Sequence, residues 1–206
     1  MINYAKKFSE PISTILNSLE RETYLKTLMP RMLSGSYQGK LLEFISLMIK
    51  PLNILEIGTF TGYSAICLSK GLKEGGLIHT IEINEENEDI ILKYFKLAGI
   101  SDKAKLYIGD AVNIIPQLNI QFDLVFIDAD KENYLNYYNL VIDKINIGAF
   151  ILADNVFWDA KVLNEYQYSD NDTKAIIEFN NFVHNDRRVQ NLFLPVRDGL
   201  MVLRKC

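Results

Sequence analysis

From Leu52 onward the chain alternates short apolar runs with stretches of helical spacing, and this alternation restricts the fold more than any single motif does. The runs Asn53–Ile57, Leu77–Ile83, Ala104–Ile108, Leu124–Ile127 and Ala149–Ala153 read as strands, and Leu124–Ile127, β-branched and aromatic, reads as a buried one. Helical patterns fall between them, at about Tyr63–Leu72, Glu85–Ala98, Ala111–Ile115 and Asn133–Ile145, with Gly99 as a C-terminal stop. Strands joined by crossover helices build a parallel sheet. After a helix at Thr173–Asn185 the order changes, because Val189–Pro195 and Leu200–Arg204 flank the hairpin signal Asp198-Gly199. The expectation is an α/β fold of Rossmann-like type: a mostly parallel seven-stranded sheet with an antiparallel C-terminal strand and helices on both faces.

Ahead of this pattern, residues 3–29 carry Phe8, Ile12, Ile15, Leu16 and Leu19 at helical spacing, interrupted by Pro11, and then Tyr24, Leu25 and Leu28. One or two amphipathic helices are expected there, to pack on the sheet, cover a site or form a dimer. A turn at residues 31–36 leads into a helix with the stripe Leu41, Leu42, Ile45, Leu47, Met48 and Ile49, closed by Pro51. A chain of 206 residues suits one sizeable core, so residues 1–206 read as a single domain, with 1–50 a helical addition and 51–206 the Rossmann-like core. A net charge of −4 gives no general attraction to a phosphate backbone, which makes nucleic acid an unfavoured partner. Cys67 and Cys206 suggest neither a disulfide framework nor a thiolate metal site. No apolar leader follows Met1, and no run approaches the roughly 20 apolar residues of a membrane span. A cytoplasmic protein without a membrane partner is expected.

The informative residues lie where the strands end. The run Leu124–Ile127 stops abruptly at Asp128, Asp130 and Lys131, and Ala149–Ala153 stops at Asp154-Asn155. Two buried strands delivering oxygen ligands to one sheet edge suggest a hard-cation site; strand-end capping is the plainer alternative. The first strand runs into Glu56-Ile-Gly58-Thr-Phe-Thr-Gly62, where glycine lets a ligand approach the backbone. This is not the G-x-G-x-x-G of dinucleotide sites, and Glu56 would repel a pyrophosphate. An acid there suits a cationic ligand such as S-adenosylmethionine, which carries a sulfonium and an ammonium, although a tight turn alone would also explain the glycines. Glu82, ending the second strand, is placed to accept the ribose hydroxyls of a nucleoside cofactor.

Ile54–Ser64, Ile81-Glu82, Gly109-Asp-Ala111, Phe126–Lys131 and Asp154-Asn155 together resemble the cation-dependent class I O-methyltransferases, the group containing caffeoyl-CoA and catechol O-methyltransferases. The resemblance covers roughly residues 30 to 206, a domain's length, and implies the class I methyltransferase form of the Rossmann-like fold. It also implies that Asp128, Asp154 and Asn155 are metal ligands and Lys131 the base, with Asp128 serving the catalytic step. Ser34, Glu56, Gly58, Thr59, Ser64, Glu82, Ala111 and Asp130 fall at S-adenosylmethionine positions. Plant members place a substrate-touching asparagine where this chain has Asp159, and residues 159–172 match no family pattern.

The chemistry fits these residue types. Two carboxylates and a carboxamide oxygen make a hard donor set suited to Mg²⁺, or to another divalent cation such as Ca²⁺ or Mn²⁺. A phenol of pKa about 10 needs help to ionise at neutral pH, and a Lewis-acidic cation supplies it. Two adjacent hydroxyls chelate such a cation, so the expected acceptor is a small vicinal dihydroxy aromatic of catechol type. Lys131 is expected to take the remaining proton if desolvation and the nearby cation lower its pKa, unless it is only a solvated lysine opening a helix. Trp158 and Phe157 would flank a flat acceptor or pack in the core. Tyr134, Tyr137 and Tyr138 read as packing, and His79 and His184 as structural. The family also implies a homodimer. A hydroxyuridine of tRNA is the alternative acceptor, since the resemblance extends to bacterial tRNA-modifying enzymes, and a non-catalytic nucleoside-binding module is the alternative from another class.

Overall fold

The computed structural model describes residues 2–164 and 170–206. Five strands run parallel: β1 (Asn53–Ile57), β2 (Leu77–Glu82), β3 (Ala104–Ile108), β4 (Phe122–Ile127) and β5 (Ile145–Asp154). The closing hairpin is β6 (Val189–Leu194) and β7 (Leu200–Lys205), and β7 inserts antiparallel between β5 and β6. The order β3-β2-β1-β4-β5-β7-β6 therefore leaves β7 alone running against the other six. The expected mixed sheet is what forms.

Strand periodicity sends alternate side chains to opposite faces, and the core splits accordingly. Leu55, Ile57, Val125, Ile127, Ile151 and Ala153 join one apolar cluster, while Ile54, Leu124, Phe126 and Leu152 join the other. The first face is covered by α6 (Ala111–Ile114), α7 (Tyr134–Val141) and α8 (Asn171–Asn185), where Tyr134 and Tyr138 meet Phe179 edge-on. Covering the second are α2 (Thr14–Lys26), α3 (Gly35–Ile49), α4 (Tyr63–Ser69) and α5 (Glu88–Leu97), after a short N-terminal α1 (Ile2–Lys7). In β4 both faces are dry, which explains why Leu124–Ile127 reads as a continuous apolar run.

Several expectations change in detail. The β5 strand begins at Ile145 rather than Ala149, because a bulge lets Phe122 pair with Ile145 while Leu124 pairs with Phe150. The preceding helix ends correspondingly early, at Val141, and α4 stops at Ser69 rather than Leu72. In α3 the buried face is Gln38, Gly39, Leu42 and Ser46, whereas Leu47 and Met48 are exposed. That helix lies too close to α4 for large side chains: a Cβ on Gly39 would stand 2.7 Å from Tyr63 Cε1, and Ser46 Oγ donates to Leu68 O at 2.6 Å. Likewise α2 buries only Leu16, Leu19 and Thr23, leaving Tyr24 and Leu25 exposed, and Leu28 just beyond the helix is exposed too. It caps the glycine turn through Thr23 Oγ1, which donates to Thr61 Oγ1 at 3.0 Å. His79 is structural, as expected: it is buried, bonded to the Tyr107 hydroxyl at 2.9 Å, and held down to a pKa of about 4 by burial. The polar loop at 159–172 lies partly outside the described residues. Among those described, no helix is long and apolar enough to cross a membrane.

Candidate active site

The strand order reverses between β1 and β4, since β1 has β2 on one side and β4 on the other. In open α/β sheets ligands bind outside the carboxyl ends of the strands at such a point. Glu56, Gly58, Asp128 and Asp154 all lie at those ends.

Gly58 is forced by the approach of two strand ends. Its N–H donates to Ile81 O at 3.0 Å while Asp128 N donates to Ile57 O at 2.9 Å, and its φ is +99°. Beside it, Thr59 Oγ1 shares a hydrogen bond with Thr80 Oγ1, which donates to Glu56 Oε2. Ser64, buried in the first turn of α4, opposes the upward shift of the Glu56 carboxyl. The other oxygen, Oε1, is buried and has no hydrogen-bond partner. Burial pushes the Glu56 carboxyl up to about 8, with Asp128 and Glu82 adding repulsion. A buried carboxylate with an orphaned oxygen suits a cationic group beside it.

Glu82 is buried at the end of β2, and its Oε2 accepts from Phe60 N in the glycine turn at 2.6 Å. Its Oε1 accepts from Asn84 N and Asn87 Nδ2, so the carboxylate is fixed beside the turn with lone pairs to spare. Ala111 is buried at the start of α6, after Asp110 caps that helix by accepting from Val112 N at 2.8 Å. Asp130 is held by the Tyr137 hydroxyl and by Asn133 Nδ2. Ser34 is buried in the turn that opens α3, and its carbonyl accepts from Arg197.

At the ends of β4 and β5, Lys131 is 6% exposed, with its Nζ 3.5 Å from Asp128 Oδ1 and 3.2 Å from Asn155 Oδ1. The third partner is the Tyr134 hydroxyl, which in turn donates to Asp154 O at 2.9 Å. The Lys131 amine thus already stands against two of the three expected ligands. Asp154 is 3% exposed, and burial together with Asp128 raises its carboxyl above the ordinary range. The carboxylates of Asp128 and Asp154 with the carboxamide oxygen of Asn155 fit a hard divalent cation. Among the described residues no group of three His, Cys, Asp or Glu side chains forms a metal set, because the third donor here is an asparagine.

Beyond Asn155, whose φ is +58°, the chain is clamped by the β6–β7 turn. Phe157 N donates to Asp198 O at 2.8 Å and Asp159 N to Asp198 Oδ1 at 2.7 Å. Asp159 is held by its backbone, with an exposed side chain. Trp158 is half-buried with its ring centroid 5.6 Å from Lys131 Nζ, so it stands beside the site as well as packing on the core.

Residues outside the expected set join the site. Tyr134 and Tyr137, read as packing, are buried but also bond Lys131 and Asp130. Their spacing of three and seven residues from Lys131 and Asp130 was the available signal. Gln38 donates to Asp154 Oδ2, and Arg197 donates to Gln38 Oε1. Neither carries a local motif.

A model of the O-methyltransferase family matches residues 6–206. The chain belongs to this O-methyltransferase family. It is similar to caffeoyl-CoA O-methyltransferase 1 of Eucalyptus globulus, with 34% identity over 188 residues, 84% of this chain and 75% of the relative. Among solved structures, an SAH-bound methyltransferase of Podospora anserina superposes with a TM-score of 0.91 at 29% identity, covering 99% of this chain and 93% of that one. An O-methyltransferase of Bacillus cereus in complex with SAH gives 0.91 at 28%, covering 98% and 96%. The protein is thus an S-adenosylmethionine-dependent O-methyltransferase of the caffeoyl-CoA type, not a non-catalytic module. The tRNA alternative finds no support among these relatives.

Proposed function

We propose that this O-methyltransferase uses a divalent cation, Mg²⁺ in the first instance, to methylate one hydroxyl of a catechol-type small molecule. The observation carrying this reading is that Lys131 Nζ stands within 3.5 Å of both Asp128 and Asn155, which adjoins the buried Asp154. S-Adenosylmethionine supplies the methyl group and the cation the Lewis acidity that favours a phenolate. Asp128, Asp154 and Asn155 hold the cation, and Lys131, oriented by Tyr134, takes the acceptor's proton. Glu56, with its unpartnered oxygen, faces the positive charge of the cofactor; Ser34, Gly58, Thr59, Ser64, Glu82, Ala111 and Asp130 shape the rest of its seat. Trp158 borders the acceptor, and the Asp159 side chain lies at its entrance. With cofactor and acceptor in line, proximity does most of the work.

The test is methyl transfer from labelled cofactor to a panel of catechol, caffeate and hydroxylated nucleosides. Transfer to the catechols in Mg²⁺, stopped by EDTA, is expected. Full activity in excess chelator would refute the cation, and transfer to the nucleosides alone would refute the acceptor.

A homodimer belongs to the same proposal. Leu25, Leu28, Met29, Met32, Phe44 and Met48 are all more than half exposed on the N-terminal elements, a large apolar presence for a free surface. Light scattering is expected to give twice the 23.7 kDa chain mass, and a monomer at micromolar concentration would reject it. The cytoplasmic setting is likewise proposed, in keeping with the free thiols of Cys67 and Cys206.

A further inference from the structure

Asp154 is tied to two distant parts of the chain through one side chain. Gln38, in the first turn of α3, is 3% exposed; its Nε2 donates to Asp154 Oδ2 while its Oε1 accepts from Arg197 Nη1. The same guanidinium nitrogen donates to the carbonyl of Ser34. Arg197 lies in the β6–β7 turn, at a φ of +53°. The three groups come from positions separated by 116 and 159 residues, so only the folded chain assembles them.

The chemistry of the ends fixes the polarity of the middle. A guanidinium only donates and an ionised carboxylate only accepts, so the carboxamide between them has one satisfactory orientation. With Gln38 locked by Arg197, its Nε2 always points at Asp154, and one oxygen of that carboxylate is engaged. The rotamer of Asp154 is then set from the side of the N-terminal helices. Partners of this kind commonly change metal affinity by 10–100-fold when removed.

We propose that Gln38 and Arg197 form an orienting relay that presents Asp154 to the divalent cation, making α3 a structural participant in the cation site. This rests on the cation reading given above. Gln38 is a positioning residue, acting through Asp154. Arg197 acts one step further out, by preventing the carboxamide from turning over. Its bond to the Ser34 carbonyl ties the same relay to the turn on the cofactor side.

The test is Mn²⁺ binding to the full chain, followed by the electron paramagnetic resonance of free Mn²⁺, for wild type, Gln38→Leu, Arg197→Met and the double variant. Gln38→Leu is expected to raise the Mn²⁺ Kd by at least about 10-fold, while its affinity for S-adenosylhomocysteine without cation stays within about two-fold. Arg197→Met is expected to weaken Mn²⁺ binding less, and to add nothing in the Gln38→Leu background, because a relay fails as a unit. A Mn²⁺ Kd unchanged in either single variant, or additive losses in the double variant, would overturn the relay. Should Gln38→Leu fail to fold, Arg197→Met still decides the matter. Wild type that binds no Mn²⁺ would overturn the cation reading and the relay with it, whereas wild-type binding with an indifferent Gln38→Leu overturns the relay alone.

Discussion

Asp154→Ala is expected to lower kcat/KM for catechol methylation by at least about 100-fold, in the range seen when a group stabilising developing negative charge is removed. Asp154 is the most buried of the three expected ligands, its charge already resisted by burial and by Asp128. Such a carboxylate contributes little to folding by itself, and a cation is what makes its ionised form favourable. The substitution leaves Gln38 Nε2 without its acceptor, costing about 1–3 kcal/mol, but it also removes a buried charge. Thermal stability should therefore change modestly while activity collapses. The decisive measurement is kcat/KM at saturating Mg²⁺ beside a melting curve; near-normal turnover by a folded Asp154→Ala chain would remove Asp154 from the mechanism.

Gly58→Ala is expected to damage both stability and cofactor binding. A Cβ at residue 58 would stand 2.1 Å from the carbonyl oxygen of Asp128, and the backbone there has φ +99°. Flexible side chains cannot absorb this clash, because the neighbour is backbone. The ends of β1 and β4 would have to part, loosening the Asp128 N to Ile57 O bond and displacing Asp128 itself. The control is Gly75→Ala, where φ is +74° and nothing lies within 4 Å of the new Cβ, so that only conformational strain of about 1 kcal/mol is paid. The Gly58 variant should melt several degrees below the Gly75 variant, since each kcal/mol moves a domain of this size by about 2–4 °C. Its S-adenosylhomocysteine affinity should fall by more than about 10-fold, as a cost above 1.4 kcal/mol at the cradle requires. Equal melting temperatures and equal affinities for the two variants would show that the strand ends tolerate a methyl group.

The parts of the site legible in the chain are those where residue type and strand position coincide. Glu56 lies near the end of one short apolar run and Asp128 directly after another, both too short to be helices, so their place at the strand ends is dictated before any contact is known. The Asp-Ala-Asp-Lys segment and the later Asp-Asn pair carry the family resemblance in the same way. Helix faces were less legible. Leu47 and Met48 have the composition of a core stripe, yet α3 turns Gly39 and Ser46 inward because α4 lies against it. Apolar spacing gives the period of a helix, whereas the face that meets a neighbour depends on how close the backbones come.

Sequence alone determined the α/β alternation, the strand ends that bear carboxylates and the glycine turn, because these follow from local periodicity and from what a buried strand end can carry. Only the tertiary structure decided the insertion of β7 between β5 and β6, the second role of Tyr134 and Tyr137, and the meeting of Gln38 and Arg197 with Asp154. A glutamine on a helix and an arginine in a turn look like solvated residues in sequence. The glutamine acquires direction only when burial removes water as its partner and leaves a single donor-to-acceptor path from the exposed Arg197 guanidinium to the buried Asp154 carboxylate.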